Sequence, residues 1–186
     1  MIRTNFRLSM FLSALCFAPA LLCAQDAAPV TFNLPGHGKL LLVVPAAWNV
    51  EVHPRLHQLA PTMELSQKSG APFHVVFTPM WTPSTDTPYP NDAAVRDQVA
   101  ETAKQMESQS VEPTLLIKEL SGKSNSGYYF TATDRAPKPD EFKYLTEGII
   151  RIGAIDLAFT VVTNEGQDGV IKSVLDILRA ATHVPL

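Results

Sequence analysis

Cysteine is nearly absent from this chain. There are two, Cys16 and Cys23, and both fall within the first 24 residues. If that segment is removed, no disulfide, thiolate catalyst or cysteine metal site remains. Positive charge is also scarce, with 15 Lys and Arg against 18 Asp and Glu. No lysine or arginine cluster stands out. That excludes nucleic acid as a partner, because such affinity rests on phosphate neutralisation. It also disfavours electrostatic attachment to anionic membranes. No apolar run is long enough to span a bilayer, which takes about 20 residues. Internal repeats and domain linkers are missing.

What is present begins with an export signal. Arg3 and Arg7 give a basic start, Met10 to Leu22 is almost uninterruptedly apolar, and Cys23-Ala24 leads into polar Gln25 and Asp26. Basic head, short apolar middle and small-residue exit define a secretory signal peptide. The expected division is therefore a signal over residues 1–24, cleaved after Ala24, and a single α+β domain over residues 25–186. The alternative is a lipoprotein acylated on Cys23, against which Leu22 stands in the slot usually held by a small residue. Cleavage takes the 15 basic residues to 13 and leaves 18 acidic ones, so the formal charge moves from −3 to −5. The mature chain is expected in the periplasm or secreted, without a transmembrane segment and as a monomer.

Alternating apolar residues predict strands. They fall at 30–34, 39–44, 49–52, 62–67, 73–78, 114–120, 128–133, 142–152 and 155–163. Pro35-Gly36-His37-Gly38, the Gly70 region and Gly153 supply the turns. Asn91 is placed to cap a helix that continues towards Ser110, with Asp92 in its first turn and Val95, Val99, Ala103 and Met106 along one stripe. Val99 and Met106 are expected to be buried, and Lys104 and Glu107 exposed. A second helix is predicted over 169–182, with Val170, Val174, Ile177, Leu178 and Ala181 buried. Short turns between successive strands favour antiparallel pairing, since parallel pairs need long crossovers. The expected fold is α+β, an antiparallel sheet flanked by two amphipathic helices.

Three features carry a resemblance. They are the apolar strand at 40–48 ending Pro45-Ala46-Ala47-Trp48, then Gly127-Tyr128-Tyr129-Phe130, and the long hairpin over 142–163 leading straight into the last helix. In these the chain resembles the PsbP-like fold family, which includes PsbP and DcrB-like bacterial envelope proteins. The resemblance covers most of residues 30–183. It implies an α/β/α sandwich used for binding or assembly rather than catalysis, and it brings no catalytic motif to match.

The candidate chemistry is sparse. His53 and His57 stand four apart, but Pro54 breaks any helix between them, so no metal site is expected. Gly122-Lys123-Ser124 resembles the end of a phosphate loop, but Ile117 occupies the place of its first glycine. Ser126 replaces the last glycine of a nucleophile elbow around Ser124. Glu147 and Asp156 lie on adjacent strands without an assigned role, and His37 sits in a glycine turn. No catalytic residue, cofactor or metal is therefore expected. The segment 79–90 holds four prolines with Trp81 and Tyr89. Aromatic rings on a proline-stiffened loop lose little entropy on binding, so Trp81 and Tyr89 are the expected partner-binding residues. The partner would be an envelope protein or a small ligand. The overall expectation is an exported envelope binding or assembly module; the alternative is a small periplasmic hydrolase with a site in the sheet-edge loops.

Overall fold

The computed structural model describes residues 27–54, 60–81 and 90–186. The expected signal, His57 and Tyr89 lie outside these residues. The class is α+β, with two helices and two antiparallel sheets among the described residues.

The first hairpin joins β1 (Ala27–Leu34) to β2 (Gly38–Pro45). Apolar alternation along both strands buries Phe32, Leu34, Leu40, Leu42 and Val44 on one face. Pro45 then ends β2, and the chain leaves this sheet. It enters a second one as β3 (Trp48–His53), where the Trp48 ring meets Phe73 edge-on at 4.7 Å. β4 (Thr62–Gln67) and β5 (His74–Met80) continue as an antiparallel meander.

The alternation at 73–78 predicts that β5 ends before Pro79, but the strand runs on to Met80. Pro79 pairs only with Leu157, beyond the point where β4 leaves β5. There β5 is locally an edge, the place where a strand tolerates a residue without an N–H.

Helix α1 (Asp92–Met106) starts as expected. The Asn91 side chain accepts from the Ala94 N–H at 2.9 Å. Val95, Val99 and Ala103 are buried, whereas Met106 is only partly covered and the helix stops there rather than at Ser110. Glu107 is half-buried instead of exposed, because its carboxylate accepts the Leu115 N–H at 3.3 Å.

β6 (Lys118–Ser121), β7 (Ser126–Thr133), β8 (Tyr144–Ile152) and β9 (Ile155–Thr163) form a second meander. The β8–β9 hairpin is antiparallel and pairs Ile152 with Ile155 around Gly153 at φ 59°, where a side chain would be strained. β9 pairs with β5, so the seven strands run β3-β4-β5-β9-β8-β7-β6. Helix α2 (Asp168–Ala180) then brings the chain back to β10 (Thr182–Val184), which pairs with β2. The smaller sheet is thus β1-β2-β10.

α1 lies on one face of the large sheet, over Phe130, Ala132 and Ile149. The small sheet and α2 lie on the other, over Phe77, Ile150, Leu157 and Phe159. No helix among the described residues is long and apolar enough to cross a membrane.

Val99 is 2% exposed and Lys104 is on the solvent side of the same helix. Val99→Ala should cost about 1–3 kcal/mol, because buried methyl groups leave a space behind. Lys104→Ala should stay within about 0.5 kcal/mol. Urea unfolding of the two variants checks the pair; equal effects would mean that the helix presents its other side.

Candidate functional site: a hydroxyl-floored groove between α2 and the sheet

The face of the large sheet that carries Ile150, Ile152, Leu157 and Phe159 changes character at one end. Along β8 the inward positions read Ile152, Ile150, Gly148, Thr146, Tyr144. On β7 they are Tyr129, Thr131 and Thr133, and β9 ends with Thr163. Thr131 stands opposite Thr146, and Tyr144 lies between Thr133 and Thr163. Helix α2 crosses above with Asp168, Ile171, Lys172, Leu175 and Arg179 on the facing side. Between helix and floor runs a groove of about 660 Å³, bounded at one end by Asn164–Gly166 and on the flank by Glu112 and Lys118.

The groove is held by a polar frame. Glu112 takes a hydrogen bond from the Ser110 hydroxyl, one from the Thr133 hydroxyl at 2.7 Å and one from the Thr133 N–H at 2.9 Å. Burial pushes this carboxyl up, but those donors outweigh it and hold it at about 2, below its ordinary 4.5. Lys118 donates to the Thr131 hydroxyl at 3.2 Å. Lys172 and Arg179 both pair with Asp176, at 2.7 and 2.9 Å. Thr146 stands apart. It is 1% exposed, lines the groove, and its hydroxyl has no hydrogen-bond partner among the described residues.

A depressed carboxyl stabilises the fold above its unfolded value and ceases to do so as pH falls. The Glu112 contribution is therefore complete above about pH 4.5 and lost towards about pH 2. Glu112→Gln should cost about 1–2 kcal/mol at pH 7, at the modest end because the side chain is half-exposed. Urea unfolding at pH 7 and pH 2.5 checks this; the variant should approach the parent at the lower pH.

Those residues singled out from sequence that are described fall elsewhere. Trp81 stacks on His37, with centroids 4.2 Å apart at 26°, and packs against the core. The His37 carbonyl lies 2.6 Å from His183 Nε2. His53 and His74 flank Glu64 on the other face of the large sheet, at 3.4 and 3.6 Å from one carboxylate oxygen. Among the described residues no group of three His, Cys, Asp or Glu could hold a metal ion.

Glu147 lines a cavity of about 110 Å³ beneath α1, where burial raises its pKa. Asp156 pairs with Arg151, so the two strand carboxylates do not form a couple. The Gly122-Lys123-Ser124 turn abuts the end of α2. A Cβ on Gly122 would overlap the Arg179 carbonyl oxygen, which accounts for that glycine without a phosphate.

No family model matches the chain, and no curated protein does. Solved structures do. One is LpqN, involved in cell envelope biogenesis of Mycobacterium tuberculosis, at TM-score 0.54 and 13% identity, covering 86% of this chain and 91% of that one. Another is cyanobacterial PsbP (CyanoP) from Synechocystis, at TM-score 0.50 and 9% identity, covering 90% of this chain and 98% of that one. The chain has a PsbP-like fold. At these identities the likeness is one of fold.

Proposed function

We propose that this is an exported binding or assembly module of the cell envelope, without catalytic activity, and that the groove between α2 and strands β6 to β9 is its ligand site. The observation that carries the reading is the Thr146 hydroxyl, buried, unpartnered and in the groove wall. Buried hydroxyls are normally hydrogen-bonded, and an orphan asks for a partner. The envelope assignment draws on the basic-apolar-small pattern of residues 1–24 and on the involvement of LpqN in cell envelope biogenesis. The non-catalytic assignment draws on the walls of the groove, which among the described residues carry no histidine and no cysteine. The working unit in this reading is the monomeric domain of residues 25–186.

Trp81 and Tyr89 form a second contact surface in this proposal. Part of the Trp81 ring is already engaged with His37. A double alanine variant that loses partner capture at unchanged melting temperature supports that surface; a large fall in melting temperature assigns the ring to the fold.

The groove itself is tested with the isotope-labelled exported protein and a low-molecular-mass envelope extract. Amide shifts should collect on β7, β8 and the start of α2. Thr146→Val, which keeps the shape and removes the orphan hydroxyl, should leave stability unchanged or raise it by up to about 1 kcal/mol while weakening those shifts. Shifts confined to the β3–β5 face, or a variant that responds like the parent, would sink the reading.

A further inference from the structure

We propose that the ligand of this groove is an uncharged saccharide; the proposal rests on the groove being the binding site. Four threonine hydroxyls, Thr131, Thr133, Thr146 and Thr163, form the floor across three adjacent strands, with the rings of Tyr129 and Tyr144 among them. Neighbouring strands lie about 4.8 Å apart, and every second residue along a strand about 6.7 Å apart. On this lattice the Thr133 hydroxyl, which donates to Glu112, keeps its acceptor side, the Thr131 hydroxyl, which accepts from Lys118, keeps its proton, and the Thr146 hydroxyl can do both, so the floor as a whole donates and accepts. That two-way capacity matches the hydroxyls of a sugar ring, one ring to about one cell of the lattice.

Charge argues for neutrality. The walls carry Lys118, Lys172 and Arg179 against Glu112, Glu165 and Asp168. The cations are already engaged, Lys118 with Thr131 and the other two with Asp176. A carboxylate or phosphate ligand would have to break those pairs, while meeting a Glu112 that stays ionised. An extended peptide is disfavoured by the floor. Strand addition uses a row of backbone N–H and C=O groups, whereas the floor of this groove presents side-chain hydroxyls and tyrosine rings. Its volume of about 660 Å³ is within the range of small-molecule sites and accommodates a short oligosaccharide. The orphan Thr146 hydroxyl, aligned with Thr131, is the hydrogen bond that such a ligand completes.

The test titrates the labelled exported protein with maltose, cellobiose and N,N′-diacetylchitobiose, and in parallel with glucuronate and tetra-alanine. At least one neutral disaccharide should shift the amides of Thr131, Thr146 and Thr163. Thr146→Val should weaken that response about tenfold, and Thr131→Val provides a second variant should the first fold poorly. Groove shifts with glucuronate alone would overturn the neutrality of the ligand, and with tetra-alanine alone the saccharide; either result would leave the groove reading standing. No groove shift from any of the five would overturn the saccharide; if the envelope extract also gave none, the groove reading would fall with it.

Discussion

Asn125→Asp should destabilise the protein by about 3 kcal/mol or more at pH 7, the larger of the two effects expected from the turn that closes α2. Asn125 is 5% exposed and sits in the four-residue turn between β6 and β7. Its side-chain amide donates to the carbonyls of Leu178, Arg179 and Ala181, at 3.1, 3.2 and 2.8 Å. The last carbonyls of a helix have no partner within it and carry the negative end of its dipole. One amide from a distant turn serves them, and Gly122 lets that turn come close enough. An aspartate there replaces the donor with a charge facing three oxygens. Its folded pKa would be raised, so the penalty is small below the unfolded value of about 3.9 and grows as pH rises past it. Asn125→Ala removes the donor without adding the charge, and should cost about 1–3 kcal/mol with little pH dependence. Chemical unfolding at pH 7 and pH 4 separates the two. An aspartate variant as stable as the parent at pH 7 would show that the turn does not cap the helix.

Much of the fold could be read from local pattern, and what escaped was non-local. Asn91 signals its helix with its own side chain, and Gly153 marks its hairpin by the positive φ that the turn demands. Thr182–Val184 carries no such signal. Three residues have no period, and they become a strand only because β2 offers a free edge across the fold. The division of the strands into two sheets was hidden for the same reason: β2 and β3 both alternate, and nothing in either specifies a partner. At 114–117 the consecutive Leu115, Leu116 and Ile117 read as strand. The structure buries Leu115 beneath α1 and leaves Leu116 72% exposed, so this is a connecting segment.

The groove was less legible than the fold. The histidines, serines and carboxylates that stand out in the sequence and are described, His37, His53, Ser124, Ser126, Glu147 and Asp156, all lie away from the groove lining. The residues that line it are threonines from β7, β8 and β9 beneath a helix that follows them in the chain. A signal did exist. Thr131, Thr133, Thr146 and Thr163 occupy positions where the inward alternation of their strands calls for Leu or Ile. Read singly, each is an ordinary strand residue, since threonine favours strands. Only the register, which sets Thr131 against Thr146 and Tyr144 between Thr133 and Thr163, turns four separate hydroxyls into a surface.

Arg151→Ala should cost about 2–4 kcal/mol at pH 7. The Arg151 guanidinium meets Asp156 through two hydrogen bonds, at 3.0 and 3.2 Å, and reaches Asp92 in the first turn of α1 at 3.4 Å. Asp156 has a side chain only 8% exposed, against 20% for Arg151 and 61% for Asp92. The stake is therefore the buried carboxylate more than the exposed one. Burial raises the Asp156 pKa, and Arg151 offsets that only in part. With the arginine removed, the carboxylate is left buried and without that partner. Its folded pKa rises further, so the added loss should be small near pH 4 and grow as pH rises above the ordinary value of 3.8. Arg151→Ala also frees the start of α1 from the β8–β9 hairpin, so amide exchange in the first turn of that helix should quicken. Adding Asp156→Asn to Arg151→Ala should recover more than half of the lost stability at pH 7, because the uncompensated charge is the main cost. If the double variant is no more stable than Arg151→Ala alone, the arginine works through packing of its stem, and the ion pair contributes little to the fold.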